Sequence, residues 1–246
     1  MLISAMVGID SRATMDIDTT LRNYPLNCES AEQIVRQIAD VEIDDKISFV
    51  IKKTEEIMED SEYQGVRLSL DAYLDKTRIP LKIDISTGDV ITPCEISFSY
   101  QLMFENRTIP LLAYPPETVL AEKLETILSR GAANTRLRDF YDVYILQRED
   151  FVVTPDALRY ALLATCRKRG HEDLLHTYAS ILNEVRQSGA MRAQWMKYQT
   201  DFDYAAGITW DTVLDTVETL CMKTLDDHAF GDELPQEESQ FEMHLL

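Results

Sequence analysis

Two periodicities divide this chain. Up to about Ala113 apolar residues alternate with polar ones or gather in β-branched runs; beyond it they recur every three or four positions. The alternation predicts strands over 15–21 (MDIDTTL), 46–52 (KISFVIK), 66–74 (VRLSLDAYL), 79–86 (IPLKIDIS) and 95–102 (EISFSYQL). One helix interrupts them at 30–39, where Ile34, Val35 and Ile38 share a face. Thr87-Gly88-Asp89 supplies turn residues. Tyr114-Pro115-Pro116 closes the strand region, and a proline near the first turn suits a helix start. Val119, Leu120, Lys123, Leu124, Ile127 and Leu128 then follow at helical spacing, with Gly131 and Asn134 as the stop. Further helices are predicted over 136–147, 155–169, 172–187, 191–204 and 209–225. The reading is an α+β chain: a mixed-sheet domain over 1–113, a helical domain over 114–225, and an acidic tail over 226–246 expected to be disordered. A cleft shared by the two domains is the expected ligand site.

Composition narrows the function. The 246 residues are 45% hydrophobic and 27% charged, an ordinary globular balance that can bury a sizeable core. The charge is less ordinary. Forty-three acidic against 24 basic residues leave a net charge of -19, which disfavours a protein that coats nucleic acid through phosphate neutralisation. Cys28, Cys94, Cys166 and Cys221 form no CxxC pair, so neither a zinc site nor a disulfide framework is suggested, and a cytoplasmic protein with reduced thiols is expected. No apolar run reaches the length of a membrane span, and the N-terminus lacks the basic region of a signal peptide. There is no G-x-G-x-x-G, no P-loop and no nucleophile elbow. His171 and His176 read as ordinary histidines, and Trp195 and Trp210 as core.

Three groups could carry chemistry. Asp16 and Asp18 are two apart in a strand, so both carboxylates face one side, where they could share Mg²⁺ or simply be solvated. Asp84 lies mid-strand on the same side as Lys82; it pairs with that lysine, or it is a third carboxylate of a two-metal site that aligns an attacking and a leaving oxygen across phosphorus. Lys123 stands among Leu120, Leu124 and Ile127 and either snorkels or holds a phosphate. Asp139 and Asp142 are neighbours on the next helix, beside Arg138; with Arg130 and Arg136 the cluster either serves a triphosphate or is an interhelical ion-pair network. The second D-x-D, Asp201-Phe202-Asp203, sits in a helical context and is assigned no role.

The segments SRATMDIDTT, PLKIDIS and YPPETVLAEKLETILSRGAANTRLRDFYDVYIL, in that order, resemble the AbiEii/AbiGii toxin family of nucleotidyltransferases, within the DNA polymerase beta-like nucleotidyltransferase superfamily. The resemblance runs over about 1–225. It implies metal-binding catalytic roles for Asp16, Asp18 and Asp84, nucleotide-phosphate binding by Lys123, and an R-D-x-x-D helix in Arg138, Asp139 and Asp142, of which Arg138 and Asp139 serve the nucleotide and Asp142, or Asp139, activates the acceptor. It further implies NTP as substrate, Mg²⁺ as cofactor, an acceptor that in relatives can be the tRNA 3′ end, and a cognate antitoxin. The superfamily's Gly-Gly or Gly-Ser, expected about ten residues before the D-x-D, has no counterpart: Met1–Met6 stand where the residues just after it would lie. The expectation is that the chain starts late or has lost its phosphate loop, with low transfer activity. A nucleotide-binding partner of an antitoxin without turnover, and an aminoglycoside-type nucleotidyltransferase, are the alternatives.

Overall fold

The first alternating segments fold into one four-stranded sheet. Strands β1 (Asp16–Leu21), β2 (Ile47–Met58), β3 (Gln64–Leu74) and β4 (Thr77–Thr87) lie in the order β1-β4-β3-β2. β1 runs parallel to β4; β4 with β3 and β3 with β2 are antiparallel, so the sheet is mixed. The structure is a computed structural model and describes residues 2–8, 16–43, 46–58, 64–102, 105–148 and 153–226. The chain divides into two compact units, Met1–Val90 with Ser97–Ala113, and Ile91–Ile96 with Tyr114–Leu246.

In the first unit the sheet buries one face. Val66, Leu68 and Leu70 of β3 and Ile85 of β4 are buried with Ala31 and Val35 of α2 (Cys28–Ala39); Leu21, Ile51, Leu81 and Ile83 pack against them. Alternation sends every second residue of β1, β4 and β3 to the opposite face. Helix α2 starts at a capping box: the Ser30 backbone N–H donates to Asn27 Oδ1 at 2.8 Å, and the Asn27 N–H donates to Ser30 Oγ at 3.0 Å. A short helix, α1 (Leu2–Val7), buries Ile3 and Val7.

Three differences from the sequence reading have physical reasons. Strand β2 continues six residues past Lys52, through KTEEIM; its charged residues hide the alternation, yet the backbone pairs with β3 up to Met58. Lys46, read as strand, has φ +59 and lies outside it. The segment 95–102 does not join the main sheet. As β5 (Ile96–Gln101) it pairs with β6 (Thr108–Ala113) in a separate two-stranded sheet. Pro110 breaks the β6 signal, because proline cannot donate to a ladder and is tolerated mainly at edges.

The second unit holds α3 (Pro116–Arg130), α4 (Leu137–Leu146), α5 (Pro155–Lys168), α6 (Leu174–Gln187), α7 (Gly189–Asp201) and α8 (Trp210–Leu225). α3 packs on α4 and α5, and α8 on α4, α5 and α6. Its core includes Leu120, Leu124, Phe140, Tyr141, Leu162, Trp195 and Trp210. The helix expected over 191–204 ends at Asp201. Phe202 adopts extended backbone, and Asp203–Ala205 make a 3₁₀ turn. Aromatic contacts hold that break, with Phe202 5.3 Å from Tyr204 and 4.7 Å from Tyr198 between ring centroids. Most of the expected acidic tail, 227–246, lies outside the described residues. Among the described residues no helix is long and apolar enough to cross a membrane.

Candidate functional site

The polar face of the main sheet carries the first group of site residues. Register pairs Asp18 of β1 with Asp84 of β4, and Asp84 with Arg67 of β3. Neighbouring strands lie about 4.8 Å apart, so the three form one row across the sheet. Asp16 pairs with Lys82 along the backbone; its side chain lies outside the described residues. Asp18 is exposed and Asp84 partly buried. The Lys82–Asp84 pairing weighed from the sequence does not form. Arg67 holds Asp84 instead: Nε donates to Oδ1 at 2.7 Å and Nη2 to Oδ2 at 2.6 Å. Two residues along, on the same face, the Thr20 and Ser86 hydroxyls lie 3.0 Å apart and both donate to Asp89 Oδ2 at 2.5 Å. Asp89 therefore ties the end of β1 to the end of β4.

The donor chemistry of this face fits Mg²⁺. That ion prefers hard oxygen ligands and keeps several waters, so one or two carboxylates plus substrate phosphates suffice. Asp18 and Asp84 supply such oxygens on adjacent strands. Among the described residues no group of three metal-ligating side chains is assembled in advance.

The second group lies in the helical unit. Lys123 of α3 reaches α4, with Nζ 2.6 Å from Asp139 Oδ1 and 3.6 Å from Asp142 Oδ2. Asp142 is fully buried, Asp139 nearly so, and the lysine side chain keeps 25% of its exposure. Asp139 Oδ2 is buried without a hydrogen-bond partner among the described residues. The three-residue spacing thus turns both acids toward one lysine. Arg138, one step round the helix, instead lies over the Phe202 ring at 5.6 Å. Asn134 fixes the approach to α4, its Oδ1 accepting the Arg136 N–H at 2.7 Å.

Several participants escaped the sequence reading. Arg67 was legible in principle. A two-residue turn at Asp75-Lys76 pairs Leu74 with Thr77, and counting back from it sets Arg67 opposite Asp84. Glu125, buried on α3, accepts from Arg169 Nη1 and lies 2.7 Å from His171 Nδ1, clasping α3 to the end of α5. No spacing rule announces that pairing, since its partners lie more than 40 positions away. Two of the cysteines are buried thiols: burial pushes Cys166 and Cys221 up to about 12, which favours their neutral form. A cavity of about 250 Å³ opens among Arg159, Arg167, Glu172 and His176, and none of the sequence-derived site residues lines it.

Two solved structures are similar to the chain. A proposed nucleotidyltransferase from H. pylori shares 14% identity at a TM-score of 0.44, covering 91% of this chain and 85% of that one. JHP933 from Helicobacter pylori shares 14% at a TM-score of 0.44, covering 91% and 82%. No curated protein matches significantly. Over residues 1–216, which take in the D-x-D strand, the Asp84 strand and the Lys123–Asp139–Asp142 helices, the sequence matches the family described as "Nucleotidyl transferase AbiEii toxin, Type IV TA system". The chain belongs to that family of nucleotidyltransferase toxins from type IV toxin–antitoxin systems.

Proposed function

We propose that this chain moves a nucleotide from an NTP to an acceptor hydroxyl, with Asp16, Asp18 and Asp84 as the Mg²⁺ ligands. The observation that carries the reading is the register of Asp18 against Asp84, two carboxylates at one level on adjacent parallel strands. Bound there, Mg²⁺ would supply Lewis-acid stabilisation of charge on the reacting phosphate. The acceptor hydroxyl gives its proton to solvent as its oxygen bonds to the α-phosphorus, the bond from that phosphorus to the bridging oxygen breaks, and pyrophosphate leaves. The chain's share is placement and charge. Lys123 neutralises phosphate, with Arg138 adding a second positive charge from α4. Asp139 and Asp142 orient Lys123. The full burial of Asp142 favours that role over receiving the acceptor's proton.

The acceptor we take first is the tRNA 3′ end, on the family resemblance, and the partner is a cognate antitoxin. The net charge of -19 favours a cationic small acceptor over RNA, so aminoglycosides belong in the same experiment. The test is transfer of label from each α-labelled NTP, with Mg²⁺, to tRNA or to an aminoglycoside. Asp18→Asn is expected to cut transfer by about 10²–10³-fold, the scale of removing one preorganised electrostatic contact. Transfer at the wild-type rate by that variant would remove Asp18 from the site. Nucleotide binding without transfer by the wild type would leave a binding partner rather than an enzyme.

A further inference from the structure

The bidentate hold of Arg67 on Asp84 is the best-defined interaction on the polar face. Both carboxylate oxygens accept from the guanidinium, at 2.7 and 2.6 Å. The two residues stand directly opposite on the inner strands β3 and β4, so backbone pairing sets their separation. The side chains keep 37% and 21% of their exposure, which shields the pair partly from solvent screening. On the other side of Asp84, at the same level, is Asp18. A cation shared by Asp18 and Asp84 would bind an oxygen that already accepts from Arg67, and would sit beside a fixed positive charge.

We propose that Arg67 is the resident counter-ion of this carboxylate row and competes with the divalent cation for Asp84. The inference rests on the reading of Asp84 as a metal ligand. In the metal-free chain the guanidinium offsets the repulsion between Asp84 and Asp18 and satisfies one lone pair on each oxygen of a partly buried carboxylate, so it stabilises the metal-free face. When the cation arrives, Asp84 must divide its negative charge between two partners, and two positive charges become neighbours. Arg67 thereby sets a threshold for metal entry. It is a positioning residue that acts through Asp84.

Mn²⁺ alone is the probe, titrated into the full chain and followed by electron paramagnetic resonance, with the metal-free melting temperature measured alongside. Arg67→Gln is expected to melt lower without metal and to bind Mn²⁺ about tenfold more tightly, the equivalent of one hydrogen bond to a charged group. Arg67→Lys, which keeps the charge but not the fork, should fall between. Asp84→Asn should weaken binding in either background. An arginine with a merely structural role would lower the melting temperature and leave Mn²⁺ affinity unchanged or weaker, and that result overturns the inference. Should Arg67→Gln not fold, the lysine variant decides, since affinity no higher than wild type is equally fatal. If Asp84→Asn binds Mn²⁺ as the wild type does, the metal reading of Asp84 itself fails, whatever Arg67 does.

Discussion

Lys123 shows how one side chain can serve both stability and chemistry. Its ammonium lies against two acids, one of them fully buried. Removing one partner of a buried pair leaves a charge that water cannot reach, at a cost of roughly 3–5 kcal/mol. The lysine keeps 25% of its exposure, so the lower end applies, and Lys123→Ala should lose about 3 kcal/mol in urea denaturation. Lys123→Arg should lose less than half of that, because the charge remains. An unchanged urea midpoint for the alanine variant would mean that water already reaches Asp142. Activity lost by the alanine variant alone would therefore not identify a phosphate contact; the arginine variant, stable but differently shaped, is the sharper probe. At this scale the sequence went far. It singled out Asp18, Asp84, Lys123, Asp139 and Asp142, and the three-residue spacing of the last two was enough to aim both at one point. It left open what Asp84 and Lys123 would meet, because those partners stand 17 and 16 positions away and are chosen by register and packing.

At the scale of elements, the β2–β3 hairpin rests on a close approach. A Cβ added at Gly65 would lie 2.8 Å from Ile57 Cγ1, its partner across the pair. Nothing in the backbone conformation of Gly65 demands glycine; the crowding does. Gly65→Ala should therefore cost about 1–3 kcal/mol, as overpacking does. Ile57→Ala should relieve it, so the double variant should fall short of the summed single effects by more than about 0.5 kcal/mol. Strict additivity would show that the strand shifts rather than the side chain. The same hairpin explains a gap in legibility. Its outer half, Lys53 to Met58, keeps its backbone register with β3 while its side chains break the alternation from which strands are read. Helices α2 to α6 and α8 were legible because each keeps one apolar face, whereas α7 buries only Met191, Trp195 and Tyr198.

For the whole molecule, charge is the governing quantity. A net charge of -19 makes the compact state repel itself, and salt screens that repulsion over about 10 Å at 0.1 M. Raising NaCl from roughly 0.01 to 0.15 M should raise the melting temperature. A fall would mean that the local ion pairs, such as Arg186 with Asp215 and Glu218, outweigh the net charge. The same charge limits how RNA could be held. Few phosphates can be neutralised by so acidic a chain, so an RNA acceptor would be engaged through a few placed cations.

The sequence by itself determined the α+β class, the strands β1, β3 and β4 and the helical half, and it nominated the candidate carboxylates. Each of these depends on periodicity or on spacing within one element, and such information is local. The tertiary structure decided the rest. Arg67, not Lys82, holds Asp84; Lys123 meets two buried acids; Glu125 clasps α3 to α5; and residues 96–101 leave the main sheet to pair with β6. Two of those outcomes are pairings of consecutive strands and two are contacts between helices, and all depend on which segment lies alongside and in what register. Strand register and the packing of one helix on another select that neighbour, and both depend on burial summed over the whole chain.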